Sequence, residues 1–453
     1  MESLCHLIFV PDKLIMKKMK LKSMKFGVML LAASLTVGTV SCKKKGCTDP
    51  TASNFDSNAD KDDGSCEAVI VTSTNVVKTG FISTNETWVA TQMYELQGKV
   101  VVQNGVTLTI EPGTIIKGQE GTGTNASALV IAKGGMIDAV GTATSPIIFT
   151  SVLDNIQEGQ LTGTNLDEND QGKWGGIIVL GDAPISAADG DVLSQIEGIP
   201  VTDTYGAFGG SNVADNSGSM SYVSIRHGGA LIGAGNEING LTLGGVGTGT
   251  TINNIEVVSN LDDGIEFFGG TVNASNILVG FQGDDGIDID MNYSGTVNEF
   301  IVINGSSSDE GLEIDGPEGT TYTNGLFNLT NGSVYTYGGT DANGDFKSKA
   351  QGTITNVKFG TAKIRASYQN DCADPKTDSY TYLTDVSPIL VFTSSEFTGV
   401  TVYTGSQDDA GVNDCTVFPA DQTAAEGAMT STTATGASTT GYTWTWASVN
   451  GKL

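Results

Sequence analysis

After residue 68 apolar and polar positions alternate in short runs, and Gly or Asn interrupts each run. The clearest runs are "GKVVVQNGVTLTIEPGTIIKG" (98–118), "ALVIAKGGMIDAVGTATSPIIFTS" (128–151) and "WGGIIVLGDAPIS" (174–186). Alternation with a period of two predicts half-buried β-strands. Because no helical 3.6-residue pattern separates these strands, they indicate a solenoid in which each turn of the chain pairs in parallel with the next.

Three later segments, 254–270, 276–292 and 299–315, repeat one pattern. Writing them under one another aligns two sets of apolar positions: Ile255 with Ile277 and Phe300, and Ile265 with Ile287 and Leu312. The acidic pairs that begin at 262, 284 and 309 recur after 22 and then 25 residues. A repeat of this length is typical of one coil of a parallel β-helix.

The same alignment predicts columns of like charge. Side chains alternate across a strand, so an acidic residue between two inward apolar residues faces outward. Coils stack about 4.8 Å apart, which places Glu266, Asp288 and Glu313 in one outward column. A second column at the preceding turn contains Asp262, Asp284 and Asp309, with Asp263, Asp285 and Glu310 next to it.

The charge composition limits which classes of partner the protein can bind. The chain has 51 acidic and 23 basic residues and a net charge of −28. Nucleic acid needs clustered Lys and Arg, but Arg226 and Arg365 are the only arginines and no lysine lies between Lys173 and Lys347. The columns therefore need Ca²⁺, raised pKa values or solvent screening to moderate their repulsion, and side chains in this stretch are not expected to supply cations.

Four interpretations of the acidic columns compete. The first two are binding of a cation or glycan, and Asp/Gly turns that stack without any ligand. The third is a glycosidase that uses Asp284, Asp285 and Asp288. Here "GDDG" (283–286) resembles the Asp-Asp motif of polygalacturonases, but their downstream Gly-His-Gly and Arg-Lys elements are missing and His227 lies upstream. The fourth is a Ca²⁺-dependent lyase, for which Arg226 is the only nearby base.

The N-terminal region predicts export. Several lysines between 17 and 25 precede the apolar run "FGVMLLAASLTVGTV" (26–40), as in a secretory signal. The run is shorter than the ~20 residues that span a bilayer. "TVSC" (39–42) resembles the bacterial lipobox, apart from Thr39 in place of Leu, and this resemblance implies lipidation of Cys42. Residues 1–15 look like an over-long gene start.

A small acidic segment follows, "GCTDPTASNFDSNADKDDGSC" (46–66). Oxygen-bearing side chains alternate before a glycine, as in loops that wrap Ca²⁺; the candidate ligands are Asn54, Asp56, Asn58, Asp60, Asp62 and Asp63. The spacing resembles the core of EF-hand and thrombospondin type 3 loops, without the downstream bidentate Glu. The whole segment resembles the "GCTDP…DDGSC" repeat of exported Bacteroidota proteins.

The remaining cysteines predict two local disulfides. In an exported chain, Cys47 and Cys66 bracket one compact segment, and Cys372 and Cys415 lie together near the C-terminus. No Cys/His spacing suggests zinc. The terminal "GYTWTWASVNGKL" (441–453) predicts a last strand or cap that closes the apolar end of the coils.

Several sequence segments resemble those of a family of large exported bacterial lipoproteins, among them "TLTIEPGTIIKG", "GLTLGGVG" and "DDGIEFFGGTVNASN". This resemblance implies an all-β, right-handed, pectate-lyase-like parallel β-helix and a location in the cell envelope, but no activity. The predicted organisation is a signal peptide over 1–41, a lipid anchor and Ca²⁺-type module over 42–67, and the β-helix with its cap over 68–453.

The predicted function is structural or binding. We expect an outer-membrane lipoprotein, held in the membrane by its N-terminal lipid, that presents an acidic face to divalent cations, polysaccharide or an envelope protein. The periplasmic and the surface side of the membrane both remain open. The alternative is a carbohydrate-active β-helix enzyme, either a hydrolase or a lyase, that uses the coil carboxylates.

Overall fold

The structure is a computed structural model that describes most of the chain. The described residues are 44–50, 52, 54–66, 75–188, 192–232, 238–336, 343–359, 363–367, 379–403 and 419–453. The chain divides into two compact units, Met1–Ile70 and Val71–Leu453. Cys42, Cys372 and Cys415 lie outside the described residues, so lipidation and the second disulfide stay predictions.

The first unit contains the acidic segment. Cys47 and Cys66 form a disulfide, which confirms the pairing expected from their spacing. Two parallel bridges, Lys45 to Lys61 and Cys47 to Phe55, bring the segment back on itself. The disulfide and the bridges therefore close a small loop whose side chains are mostly exposed.

The second unit contains 25 described strands. They are β1 Val76–Ile82, β2 Glu86–Trp88, β3 Met93–Val102, β4 Thr107–Ile110, β5 Ile115–Gly118, β6 Ala128–Ile131, β7 Met136–Val140, β8 Ile147–Ser151, β9 Ile177–Leu180, β10 Ser194–Gln195, β11 Ala207–Phe208, β12 Gly218–Arg226, β13 Leu241–Gly244, β14 Thr251–Val258, β15 Ile265–Phe268, β16 Asn273–Gly280, β17 Ile287–Asp290, β18 Thr296–Asn304, β19 Leu312–Ile314, β20 Phe327–Thr336, β21 Gly344–Phe346, β22 Gly352–Thr355, β23 Lys363–Ser367, β24 Leu390–Thr393 and β25 Gly399–Tyr403.

The described helices are short. They are α1 Ser379–Thr384, α2 Pro419–Ala428 and α3 Trp446–Val449, with single 3-10 turns at Gly123–Asn125, Thr204–Gly206 and Thr439–Tyr442. Among the described residues, no helix has the length and apolar character required to cross a bilayer.

Parallel pairing joins 23 of the strands into one continuous sheet with three faces. Face A runs from β2 through β4 and β7, the first halves of β12, β14, β16, β18 and β20, to β22 and β24. Face B contains β5, β8 and the second halves of the same long strands. Face C contains β6, β9, β13, β15, β17, β19, β21, β23 and β25.

This topology is a parallel β-helix, and it confirms the predicted fold class. The predicted coil register is also confirmed: Ile255 pairs with Ile277 and then Phe300, and Ile265 pairs with Ile287 and then Leu312. The inward side chains of all three faces form one continuous apolar core. All four tryptophans are buried, so they pack inside the protein and none is an exposed sugar platform.

The bend between faces A and B is an asparagine corner in four of the described coils, while Tyr222 and Glu299 occupy the same position in two others. Asn254, Asn276, Asn331 and Asn356 have φ values of 51°, 55°, 54° and 56°. Asn is one of the few residues other than Gly that adopts this left-handed conformation readily. The side chains also bond from coil to coil: Asn276 Nδ2 donates to Asn253 Oδ1 at 2.9 Å, and Asn356 Nδ2 donates to Asn331 Oδ1 at 2.7 Å.

The outward side of face C changes character along the stack. In the early coils its outward residues, such as Val130, Ile178 and Leu180, are apolar. They form a second cluster with Ile185 and Phe208 from the long connection between β9 and β12. That connection contains the antiparallel pair of β10 and β11. From β15 onward the outward positions are mainly acidic, so the apolar cover leads directly into a carboxylate region.

The C-terminal residues correct one prediction. Instead of forming a strand that closes the coil end, residues 429–453 run back along the outside of the stack. Tyr442 and Trp446 pack on outward side chains of face B, including Val258 and Leu278. The helices α1 and α2 instead supply apolar residues to the main core beside the last strands, namely Leu383 and Ala425.

Candidate carboxylate site on face C

Three columns of carboxylates meet on face C and form what we call the carboxylate face. The strand column contains Glu266, Asp288, Glu313 and Asp345. The inner column contains Asp263, Asp285 and Glu310, and the outer column contains Asp262, Asp284 and Asp309. Each member lies one coil from the next because the strands β15, β17, β19 and β21 pair in register.

The strand column has the predicted register, but its predicted exposure is wrong for Glu266, and Asp288 and Glu313 are only half-exposed. Glu266 pairs with Asp288, Asp288 with Glu313, and Glu313 with Asp345. Glu266 is nevertheless only 5% exposed and Asp345 only 1%. The side chains point away from the core, as predicted, but neighbouring parts of the chain exclude water from them, and Asn239 donates a hydrogen bond to Glu266.

The inner column is fixed by the turns themselves. Asp263 Oδ1 accepts a hydrogen bond from the backbone N–H of Asp285 at 2.9 Å, and Asp285 Oδ1 accepts one from the backbone N–H of Glu310 at 2.7 Å. Asp263 and Asp285 thus each accept a hydrogen bond from the turn of the next coil. This arrangement holds the inner column rigidly beside the strand column, while Asp284 and Asp309 in the outer column stay exposed.

The columns bring carboxylates close enough to share an ion. In each of three groups, one carboxylate oxygen from every residue lies within 4.8 Å of the others: Asp262, Asp263 and Asp284; Asp263, Glu266 and Asp288; and Asp285, Glu310 and Glu313. Asp263 belongs to two of these groups. Carboxylate oxygens in such numbers are the ligands that Ca²⁺ prefers.

Burial strongly disfavours ionisation on this face. Desolvation, followed by repulsion from neighbouring carboxylates, raises the pKa values of five groups well above their ordinary range: Asp263, Glu266, Asp285, Asp288 and Asp290. The pKa of Asp345 rises to about 7 for the same reasons, although Lys347 opposes the increase. Protons therefore moderate part of the repulsion that the sequence predicts.

One cation does come from a side chain, which corrects the expectation that none would. Lys347, one coil further on, forms an ion pair with Glu313. Burial alone would lower the pKa of Lys347, but Glu313 and the surrounding carboxylates raise it instead. This lysine is adjacent to the third group, and the Asp263–Glu266–Asp288 group contains no such partner among the described ion pairs.

Asp288 is the member of that group with unused binding capacity. Its Oδ1 atom is buried and accepts no hydrogen bond from the part of the chain that the structure describes. A buried acceptor without a partner is costly. A proton on this carboxyl group or a cation beside it would remove that cost.

The N-terminal candidate ligands are less well assembled. Asp56 forms an ion pair with Lys44 at 2.8 Å, and Asp62 and Asp63 accept hydrogen bonds from the backbone of their own turn. Among the described residues, the groups of three carboxylates that could share an ion all lie on the coils. The structure therefore leaves the Ca²⁺ module a prediction.

Arg226 and His227 are structural, because both lie inside the protein. The Arg226 guanidinium donates to Ser224 Oγ at 2.7 Å and lies 3.9 Å from Glu256. The Nδ1 atom of His227 lies 2.8 Å from the carbonyl oxygen of Asp170. Burial lowers the pKa values of both side chains. Neither can reach a substrate, so Arg226 does not supply the base that a lyase would need.

A model of the pectate-lyase-like β-helix domain matches residues 80–449. The chain belongs to this family. This membership confirms the right-handed, pectate-lyase-like parallel β-helix that the sequence predicts. The carboxylate face lies on that β-helix.

Two other comparisons of this pectate-lyase-like β-helix were informative neither about its fold nor about its activity. A crystal structure of the pectin methylesterase from Aspergillus niger is similar over 68% of this chain and 84% of that chain, with 12% identity and a TM-score of 0.28. A likeness at this level carries no information about activity. Comparison with curated proteins finds no match.

Sequence reasoning missed two parts of this β-helix. Asp345 belongs to the strand column, yet it lies 32 residues after Glu313 (345 − 313), so the regular repeat does not reach it. Its flanking "NGDF" (343–346) is the only local signal, a turn followed by an acidic and an apolar residue. Glu256, the buried partner of Arg226, carries no signal because an acidic residue in a strand usually faces water.

Proposed function

We propose that the carboxylate face binds divalent cations, Ca²⁺ in particular, and that binding stiffens this side of the β-helix. The observation that carries the proposal is the group of Asp263, Glu266 and Asp288, whose oxygens lie within 4.8 Å of one another. The burial of Asp263 and Glu266, together with the unused Oδ1 atom of the half-buried Asp288, favours a hard cation that takes oxygen ligands.

Protons compete with the cation in this proposal. The raised pKa values of Asp263, Glu266 and Asp288 mean that a cation must displace protons to bind. Cation affinity therefore increases with pH as these groups ionise. This coupling distinguishes the buried group from an exposed acidic surface, where the carboxylates are already ionised at neutral pH.

We infer a structural or binding role in the cell envelope for the whole protein. The sequence supports this through its export signal, the lipidation candidate Cys42 and the disulfide-closed acidic module. A lipid at Cys42 would attach the chain to the membrane, and polysaccharide or an envelope protein would bind a cation-loaded face. Mass spectrometry of the mature N-terminus tests the lipid: a diacylated Cys42 supports the anchor, and an unmodified one contradicts it.

Cation binding is tested on the purified full chain by calorimetric titration with Ca²⁺ and by the melting temperature with and without Ca²⁺. We expect a rise in melting temperature that Asp263→Asn with Asp288→Asn abolishes. Asp138→Asn, an exposed change on β7, is the matched control and keeps the rise. A second variant, with Asp60, Asp62 and Asp63 changed to Asn, removes any contribution of the N-terminal acidic module to the rise in melting temperature.

Two outcomes would contradict this assignment. A calcium response that survives Asp263→Asn with Asp288→Asn but disappears in the module variant assigns binding to residues 46–66. A chain whose melting temperature does not change at millimolar Ca²⁺ at pH 8, where the buried carboxyl groups ionise most readily, does not bind through the carboxylate face at all.

A carbohydrate-active enzyme is the second candidate. Its support is membership of the pectate-lyase-like family and the half-buried Asp288, whose raised pKa suits a general acid. Asp284, in the outer column of the same coil, is exposed and is the candidate for the second carboxylate. Turnover of an acidic or neutral polysaccharide that Asp284→Asn or Asp288→Asn abolishes would replace the binding role with catalysis.

A further inference from the structure

A neutral cavity lies beside the turn that follows β19, and none of its lining residues belongs to the ion-sharing groups. It has a volume of about 680 Å³, within the range of roughly 300–1,000 Å³ that is typical of small-ligand sites. The lining contains no charged side chain, and it consists of Pro184, Val213, Thr248, Thr271, Asn292, Ser294, Thr320, Tyr322, Thr323, Asn324 and Gly325.

Two buried amides hold one wall of this cavity in place. Gln351 Nε2 donates to the carbonyl oxygens of Thr323 at 2.6 Å and Gly325 at 2.8 Å. It also donates to Asn292 Oδ1 at 2.9 Å, and Asn292 in turn donates to the carbonyl oxygen of Tyr322. Since Asn292 is 6% exposed and Gln351 is 4% exposed, the loop 320–325 is fixed from inside the protein.

This fixed loop presents an aromatic side chain to water. Tyr322 has a φ of 48°, a conformation that is uncommon for a bulky residue and that persists where the surroundings enforce it. Its side chain is 41% exposed. An amphipathic ring on a fixed loop at the edge of a polar cavity offers a large contact area to a ligand, as aromatic residues do at binding sites.

The polar groups around Tyr322 face outward. Thr320 and Asn324 are exposed and Thr323 is half-buried, so their hydroxyl and amide groups are open to a ligand. A second cavity, of about 460 Å³, is different, because the charged side chains of Asp290, Asp315, Glu318 and Lys349 line it. The two cavities therefore select different chemistry.

We propose that the cavity at Tyr322 binds a neutral carbohydrate. The ring of Tyr322 packs against the apolar side of a sugar, and the hydroxyl and amide groups of Thr320, Thr323 and Asn324 bond to its hydroxyl groups. A charged sugar is disfavoured because the lining provides no compensating charge. This site is separate from the proposed cation site, and it functions without a metal ion.

The test is calorimetric titration of the full chain, in EDTA, with four neutral tetrasaccharides: cellotetraose, maltotetraose, laminaritetraose and mannotetraose. Tetragalacturonate serves as the charged comparison. We expect at least one neutral tetrasaccharide to bind, and Tyr322→Ala to weaken its binding by roughly tenfold. The matched control is Tyr335→Ala, an exposed tyrosine outside the cavity, which leaves the affinity unchanged.

Asn324→Ala provides a second variant if Tyr322→Ala fails to fold, because Asn324 is exposed on the same loop. It weakens binding without changing the melting temperature. The proposal is overturned if none of the neutral tetrasaccharides binds, if tetragalacturonate binds more tightly than all of them, or if both loop variants bind like the wild type. EDTA keeps these outcomes independent of cation binding.

Discussion

Among single residues, Asp345 shows most directly how burial controls charge on the carboxylate face. Its ordinary pKa of 3.8 rises to about 7 in the folded protein. The folded state therefore keeps a proton between about pH 4 and pH 7 that the unfolded chain releases. Stability from this group is fully present below pH 4 and is lost as the pH increases through 7.

We predict that Asp345→Asn removes part of this pH dependence. In EDTA, the free energy of unfolding of the wild type falls between pH 4 and pH 8 by roughly 2–4 kcal/mol more than that of the variant, because the variant has no carboxyl group to ionise there. Urea unfolding across this pH range measures the difference.

Asp138→Asn is the control for this measurement, because Asp138 is exposed and its carboxyl group remains in water. This variant should follow the wild type at every pH. Parallel pH profiles for the wild type and Asp345→Asn would mean that Asp345 ionises normally in the folded protein, contrary to the prediction.

Among the structural elements, the asparagine corner explains how long strands turn from face A to face B. Asn276 combines a φ of 55° with a hydrogen bond to Asn253. The conformation alone costs an ordinary residue about 1–2 kcal/mol. The corner therefore depends on the backbone tolerance of Asn as well as on its amide.

We predict that Asn276→Ala lowers the free energy of unfolding by about 2 kcal/mol, since it adds strain and removes a hydrogen bond. Asn276→Gly removes the same bond but adopts the left-handed conformation freely. It should therefore be less destabilised than Asn276→Ala. Denaturant unfolding of both variants measures this order, and an equal loss in both would show that strain at the corner is negligible.

The elements also show what the sequence could predict. The register of β15, β17 and β19 follows from apolar positions such as Ile265, Ile287 and Leu312, because those positions must all face one core. The burial of Glu266 could not be predicted this way. Its surroundings include Asn239 and residues near Glu197, which come from connections whose path no periodic pattern determines.

In the whole molecule, Glu256 connects the middle of the stack to the C-terminus. Its carboxylate accepts hydrogen bonds from the backbone N–H groups of Trp446 and Ala447, both at 2.9 Å. It also lies opposite the buried Arg226. Removing one partner of a buried pair leaves the other charge uncompensated, which is more costly than removing both.

We predict that Glu256→Gln lowers the free energy of unfolding by roughly 3–5 kcal/mol, and that adding Arg226→Met restores part of the loss. The control is Glu396→Gln. Glu396 also bonds to the tail, at Ala434, but its ion pair with Lys358 is at the surface and contributes at most about 1 kcal/mol. Denaturant unfolding measures the free energy of unfolding of the wild type, Glu256→Gln, the double variant and Glu396→Gln.

If the double variant were no more stable than Glu256→Gln alone, the buried charge of Arg226 would not be the source of the loss. The hydrogen bonds to the tail would then account for it. The measurement uses the full chain, because the tail makes its contacts as part of that chain and not as a separate peptide.

The tail also marks the limit of sequence reasoning for the whole molecule. "GYTWTWASVN" (441–450) alternates large and small residues and so resembles a strand, yet Trp446–Val449 is a helical turn. The tail packs on the apolar outward residues Val258 and Leu278 of face B, and its backbone bonds to Glu256. Glu256 lies 190 residues before Trp446, and a strand pattern at the C-terminus contains no information about such distant positions.

The path of the tail has a consequence for how this protein can change length. From the last coils toward the middle, the tail bonds in turn to Asn356, Ser333, Glu299 and Glu256. A duplicated coil inserted among these would displace every later anchor by about 4.8 Å. A β-helix can become longer when a coil is duplicated. In this protein, the length of the tail fixes the number of coils between its first and last contacts with the stack.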